Sequence, residues 1–345
     1  MKKTIQEIRG QYAALSQTLS LFRGELPALR RQWLERAPRS LAFIGCGSSY
    51  MVACSLRDTA ASLLDVPAYA IPAGDLWLNC ARYRRQLSGA MVVAVSRSGR
   101  TSEILYAAEA LRREGVDFCL CSLAEAENTP LGEQAAIRFE MPWAFDESVC
   151  QTRSVTCLYA AGLCLIAGFA GAGELLDGLE KLAAAGPAYL ERAEPEMEKL
   201  AAEGWDRAVV LADGSCAGLA NEGALAFQEI AQIPACRHHV LDVRHGPMVL
   251  IGEKTLVLAY LFPEGRPQQV KLLRDLQQKG ARLLVYTNLP AELPGVRTVS
   301  LGTEVGAEAG AIAFLNLCQL TAYYKSLETG SDPDAPDGLD AWIHI

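Results

Sequence analysis

The amino-acid sequence predicts an α/β protein of two similar halves, each a parallel sheet with helices on both faces. Three observations carry this. Apolar runs of strand length alternate with segments of helical periodicity. Two strands of the first half run into small-residue turns that open helices, Gly45-Cys46-Gly47-Ser48-Ser49 and Ser96-Arg97-Ser98-Gly99-Arg100-Thr101. The strand and glycine turn then recur: residues 208–212 lead into Asp213-Gly214-Ser215 as 41–44 lead into 45–48, with Gly47 and Gly214 standing 167 positions apart.

Taken in order, Ile5, Ile8, Tyr12, Leu15, Leu19 and Phe22 alternate at spacings of three and four, the mark of an amphipathic helix with one apolar stripe to pack on a domain or a partner subunit. After Pro38 the run 41–44 reads as a buried strand, and a helical pattern spans 50–64. Strands follow at 66–71, 90–95 and 118–122, with a helix at 101–114. Residues 154–173 carry no charge and are about as long as a bilayer-spanning helix. They stand alone and contain Gly, Ser, Thr and Cys, so a buried core helix is expected and no membrane partner. A polar, Glu-rich stretch at 187–203, compatible with a helix, joins the halves. The second half then offers a helix at 219–232, strands at 255–261 and 282–287, and a helix at 267–279 between them.

With 345 residues, 50% hydrophobic and 21% charged, the chain can form about two domains. A net charge of −8 and a pI near 5.2 argue against nucleic acid as a partner. An anionic substrate would have to be held by local dipoles and a few arginines. The 11 cysteines form no CxxC pair and the amino terminus lacks the apolar core of a signal peptide, which points to a reducing cytoplasm.

The turn at 96–101 has the parts of a phosphate cradle: hydroxyls from Ser96, Ser98 and Thr101, a glycine that admits close approach, and free N–H groups at a helix start. Read alone, these residues are also ordinary helix caps. Gly45-x-Gly47 invites a dinucleotide reading, but the position three residues on is Tyr50, so the fingerprint is incomplete and a hydroxyl-lined sugar pocket suits Ser48 and Ser49 better. Adjacent His238 and His239 lack a ligand spacing. No metal and no cofactor are expected.

These motifs, with Gln151-Thr152-Arg153-Ser154 before an apolar helix, NEGALAFQE at 221–229 and RHGP at 244–247, resemble in order those of the sugar isomerase (SIS) domain proteins. The arrangement is similar to the isomerase half of glucosamine-6-phosphate synthase, and more so to the galactosamine-6-phosphate deaminase/isomerase group. The resemblance implies two tandem flavodoxin-like αβα domains: an N-terminal helical segment at 1–36, a first SIS domain at 37–185, a second at 195–330, and a tail at 331–345 over the active site. Met1 is followed by Lys2, so the synthase's glutamine-driven amination is not expected.

Carried over by position, Cys46, Gly47, Ser48 and Ser49 would hold sugar hydroxyls and part of the phosphate. Ser96, Arg97, Ser98 and Thr101 would hold the phosphate itself, and Thr152 or Ser154 would add a hydroxyl. Glu229 matches the enolisation base, and His245 the ring-opening histidine that often reaches into a neighbouring subunit's site. The resemblance therefore implies a homodimer or higher even oligomer. A carboxylate can shuttle an α-proton through a cis-enediol or enamine, and imidazole titrates near neutrality. Without the motif, Glu229 at a helix end would read as a solvated surface residue.

Two positions depart from the synthase pattern: Ala226 stands three residues before Glu229 where a lysine is expected, and Asp340-Ala341-Trp342 replaces the C-terminal lysine. Three classes follow: an amino-sugar-phosphate isomerase that releases ammonia, a fructosamine-6-phosphate deglycase, and a non-catalytic sugar-phosphate binder. The last usually places a DNA-binding segment before one such domain, whereas here only about 40 residues precede two acidic halves.

Overall fold

The computed structural model describes residues 1–287 and 293–340. In chain order the elements are α1 (Lys3–Arg23), α2 (Leu26–Arg36), β1 (Ser40–Gly45), α3 (Ser48–Leu63), β2 (Ala68–Pro72), α4 (Ala73–Leu78), α5 (Cys80–Leu87), β3 (Ala90–Ser96), α6 (Ser102–Arg113), β4 (Phe118–Ala124), α7 (Pro130–Gln134) and β5 (Ile137–Glu140). They continue as α8 (Arg153–Ala170), α9 (Gly173–Ala201), β6 (Arg207–Leu211), α10 (Ala217–Glu229), β7 (Ala235–His238), β8 (Thr255–Tyr260), α11 (Arg266–Gln278), β9 (Arg282–Tyr286), β10 (Arg297–Val299) and α12 (Ala307–Thr329). Each expected strand is present within two residues of its predicted ends. The fold is the expected one, two parallel five-stranded sheets with helices. Contacts divide the chain into one unit of Gly10–Glu147 with Gln151–Glu180, and another of Met1–Arg9, Ser148–Cys150 and Lys181–Leu339.

In the first unit the strand order is β2-β1-β3-β4-β5, every pairing parallel. β1 and β3 are buried along their whole length, as a strand covered on both faces must be. Register places Ile44 of β1 between Ile71 of β2 and Ala94 of β3. One face of this sheet packs into a core of Ile44, Val92, Ala94, Leu76, Ile104 and Leu111. The uncharged segment forms α8, long and apolar enough to cross a bilayer, yet 89% of it is buried here. α2 and α3 pack on it: Trp33 stacks on Phe169 at 4.8 Å, and a Cβ on Gly162 would stand 2.3 Å from Leu56.

In the second unit the order is β10-β9-β8-β6-β7, again all parallel. α12 is buried on nearly every face, so it has no amphipathic stripe for the sequence to reveal. The chain's start and the segment after α12 meet in this unit. The Asp334 carboxylate accepts the N–H groups of Lys3 and Thr4 at 3.0 and 2.9 Å and the Thr4 hydroxyl at 2.8 Å, capping α1 from a distance in sequence. The six predicted stripe residues of α1 are each at most 4% exposed. Of the predicted tail, residues 341–345 lie outside the described residues.

Each strand order reverses direction once, between β1 and β3 and between β6 and β8. In open parallel sheets the crevice beyond the carboxyl ends of such a strand pair is where ligands bind.

Candidate functional site

At the first reversal, β1 and β3 end side by side, so the turns after them, 45–49 and 96–101, share one edge of the sheet. These are the two turns the sequence singles out. Gly45 permits the first: a Cβ there would lie 2.6 Å from the backbone carbon of Ser49. Gly47 caps α3 with φ of +52°, and the Tyr50 and Met51 N–H groups both point back to its carbonyl at 2.9 and 3.1 Å. Ser48 and Ser49 occupy the first turn of this 16-residue helix, both largely buried. Burial, reinforced by the charge of Glu103, pushes the Cys46 thiol up to about 12, so at neutral pH it is a thiol and not a thiolate nucleophile.

The second turn is organised from within. The Ser96 hydroxyl, 2% exposed, accepts the Gly99 N–H at 3.0 Å and lies 3.2 Å from the Thr101 hydroxyl. Ser98 Oγ accepts the Arg100 N–H at 3.2 Å. Gly99 has φ of +61°, and its carbonyl accepts the Leu131 N–H at 3.2 Å, tying the turn to the start of α7. Thr101 stands at the N-cap position of α6 but its side chain makes no capping bond. The helix therefore presents free N–H groups beside two neutral hydroxyls, a surface suited to a phosphoryl group. The Arg97 guanidinium lies over the Phe145 ring at 5.7 Å, and the residue is 7% exposed.

The 151–154 turn is fixed by a residue the sequence reading missed. Asp146 Oδ2 accepts the N–H groups of Thr152 and Ser154 at 2.7 and 2.9 Å and also the Ser154 hydroxyl, and Oδ1 is 3.5 Å from Arg153 Nε. Asp146 thus caps α8 in place of Thr152, whose side chain makes no capping bond. Glu125, one residue beyond β4, was missed as well. It is fully buried, and its N–H donates to the Arg97 carbonyl at 3.0 Å. No local pattern in the sequence marks either residue.

In the second unit Glu229 is the last residue of α10, half-buried, with Ala226 one turn behind it. His245 follows a short 3-10 turn, is exposed, and its ring makes no hydrogen bond among the described residues. Leu241, Val249 and Leu250 nearby in sequence are 42, 78 and 74% exposed. His239 does have a partner: its Nδ1 lies 2.9 Å from Asp213 Oδ1 in the turn after β6. That turn opens α10, whose 13 residues put it about 20 Å from Glu229 at the other end of the helix.

The SIS domain model matches residues 34–167 and 203–324, and the chain belongs to this family. A glutamine--fructose-6-phosphate aminotransferase of Methanothermobacter thermautotrophicus is 26% identical over 316 residues, 88% of this chain and 51% of that protein. The chain thus spans about half the length of the curated relatives it matches. Among solved structures, tagatose-6-phosphate ketose/aldose isomerase from Escherichia coli superposes with a TM-score of 0.87 at 24% identity, covering 100% of this chain and 96% of that one. Glucosamine-6-phosphate deaminase from Thermotoga maritima gives 0.82 at 22%, covering both chains fully. At these identities the likeness is one of fold.

Proposed function

We propose that the chain is a sugar-phosphate aldose/ketose isomerase that couples isomerisation to amine release. The observation that supports this most directly is the first sheet's edge, where Ser96 and Thr101 pair their hydroxyls at 3.2 Å at the mouth of a helix whose cap they do not supply. The solved neighbours named for tagatose-6-phosphate and glucosamine-6-phosphate fit a phosphorylated hexose. In this reading Ser96, Arg97, Ser98 and Thr101 serve the phosphate, Cys46, Gly47, Ser48 and Ser49 the sugar, and Thr152 or Ser154 adds a hydroxyl.

Glu229 acts as the base and His245 assists ring opening. Glu229 takes the C2 proton of the open aldose, the C–H electrons become the C1=C2 bond as the carbonyl π electrons move to O1, which takes a proton, and the Glu229 proton then returns at C1. A 2-amino sugar is then a ketimine, which water hydrolyses to ketose and ammonia. No glutamine is consumed. The enzyme acts in the cytoplasm as a homodimer or larger even oligomer, and the exposed Leu241, Val249 and Leu250 beside His245 support burial of that loop by a second copy.

Deglycation of a fructosamine-6-phosphate is the second reading, favoured by Ala226 where the synthases carry a lysine. The test is a panel of glucosamine-6-phosphate, galactosamine-6-phosphate, tagatose-6-phosphate and fructosamine-6-phosphates. Ammonia release supports the first reading and amino-acid release the second. Binding without turnover of any of them would leave a sugar-phosphate binder and refute both.

A further inference from the structure

The turn that closes α10 carries an unexpected residue type for a simple helix stop. The Ile233 N–H reaches back to the Phe227 carbonyl at 3.3 Å, which puts Gln232 at the left-handed position that usually falls to glycine. Its φ is +52°, where a residue with a Cβ is strained. The side chain offsets that strain. Its amide N–H donates to the Asp337 carbonyl at 2.8 Å and its amide oxygen accepts the Ser331 hydroxyl at 3.3 Å, so both ends of the amide are taken by the segment after α12.

That segment is itself anchored. The Asp334 carboxylate caps α1, the Asp334 carbonyl accepts the Val149 N–H at 3.1 Å, and Asp332 pairs with Lys2 at 2.7 Å. Pro333 and Pro336 are buried. Residues 331–337 are therefore a fixed tether, and Gln232 is where it grips the end of α10. On the other side of Glu229 in sequence, the Gln228 amide donates to the Ala235 carbonyl of β7 at 2.6 Å. Glu229 thus stands between two amide staples, one to β7 and one to the carboxyl-terminal segment.

We propose that Gln232 is a positioning residue for Glu229: it fixes the last turn of α10 to the carboxyl-terminal segment, so that the carboxylate meets the α-carbon of the sugar at a constant distance. A base is sensitive to displacement in a way that binding is not, because proton transfer requires hydrogen-bond reach. Loss of the amide lets the last helical turn fray. Turnover then falls while affinity, which the proposed phosphate and sugar residues of the first unit supply, is kept. The inference rests on the reading of Glu229 as the base.

The test compares Gln232→Gly and Gln232→Glu with the wild type and Glu229→Gln, reading kcat, KM, Tm and hydrogen–deuterium exchange at C2 of glucosamine-6-phosphate and galactosamine-6-phosphate. Glycine suits this φ, so Gln232→Gly should stay folded with its Tm little changed, and yet lose about tenfold in kcat and in exchange at an unchanged KM. Gln232→Glu keeps the shape and the Ser331 contact but turns an acceptor toward the Asp337 carbonyl, and it should lose as much. Wild-type kcat and exchange in either variant would overturn the role of Gln232 and leave Glu229 as the base. A loss that only follows a large fall in Tm, with KM rising in step, would mark a merely structural contact and overturn it too. Undiminished exchange in Glu229→Gln would overturn the base reading and Gln232 with it, and no exchange of either sugar by the wild type would overturn both.

Discussion

Gly99→Ala tests whether the cradle is a fixed shape or a tolerant loop. Gly99 sits at φ of +61°, where an L-residue is strained by about 1–2 kcal/mol. Its new Cβ would stand 2.5, 2.6 and 2.7 Å from Oγ1, Cβ and Cγ2 of Thr129. Thr129 cannot swing aside freely, because its hydroxyl accepts the Gly132 N–H at 3.1 Å and caps α7. Overpacking of this kind costs about 1–3 kcal/mol, and the stiffer unfolded chain returns about 0.4–1 kcal/mol. The net expectation is a loss of about 2–4 kcal/mol in a urea titration, with a raised KM for a phosphorylated sugar, since the Gly99 N–H orients Ser96. A second substitution separates the two causes. Thr129→Gly removes all three clashing atoms and, as a cap replacement, costs only a few tenths of a kcal/mol. Gly99→Ala/Thr129→Gly should therefore recover the steric part and keep the strain. A single variant within about 1 kcal/mol of the wild type, or a double variant with no recovery, would refute the argument.

Ser98→Ala should weaken binding of the phosphorylated substrate by about 1–3 kcal/mol, the scale of a hydrogen bond to a charged group; an unchanged KM would remove Ser98 from the phosphate site. Glu229→Gln should abolish turnover with affinity nearly intact, because the base acts only as the α-proton moves. Persistent hydrogen–deuterium exchange at C2 in that variant would assign the base elsewhere. Mixing inactive Glu229→Gln and His245→Ala chains should restore part of the activity if His245 completes a neighbour's site. No recovery after verified subunit exchange would show that each chain builds its own. Peptide mapping after iodoacetamide at pH 8 should find exposed Cys236 modified and Cys46, its thiol pushed up to about 12, spared.

What the sequence reveals of this fold depends on how burial is distributed around each element. β1 and β3 are apolar throughout because both sheet faces are covered, and α1 shows a stripe because one face is buried, so both patterns are legible. α12 is buried all round and β7 is a four-residue edge strand with no fully buried residue, so neither has a period to find. At the site the small residues were legible and their supports were not. Ser96, Ser98 and Thr101 announce a hydroxyl turn, but nothing local marks Asp146, which caps α8 from outside the helix, or the fully buried Glu125. The N-cap alternative for Thr101 could be decided only by geometry, because a capping and a free hydroxyl have the same sequence.

The repeat of strand, glycine turn and helix in the second half raises the question of a second phosphate site, and the chemistry of the turns argues against one. After β6 the turn opens with Asp213, whose Oδ1 takes the Val240 N–H at 2.9 Å, and the Ser215 hydroxyl is already given to Glu308 at 2.9 Å. After β8, where the first half has its hydroxyl turn, the amide of Gln269 fills the loop, accepting the Phe262 N–H at 3.1 Å and donating to the Glu264 carbonyl at 2.6 Å. A phosphate there would meet carboxylates in place of free hydroxyls, and each like charge at about 4 Å opposes it by on the order of 4 kcal/mol at the dielectric of a protein surface. The second sheet thus keeps the strand order of the first without its hydroxyl turn. With its turn hydroxyl held in an internal contact, the second half has Glu229 at the opposite end of α10, so in the proposed reading the scaffold is present twice and the phosphate cradle once.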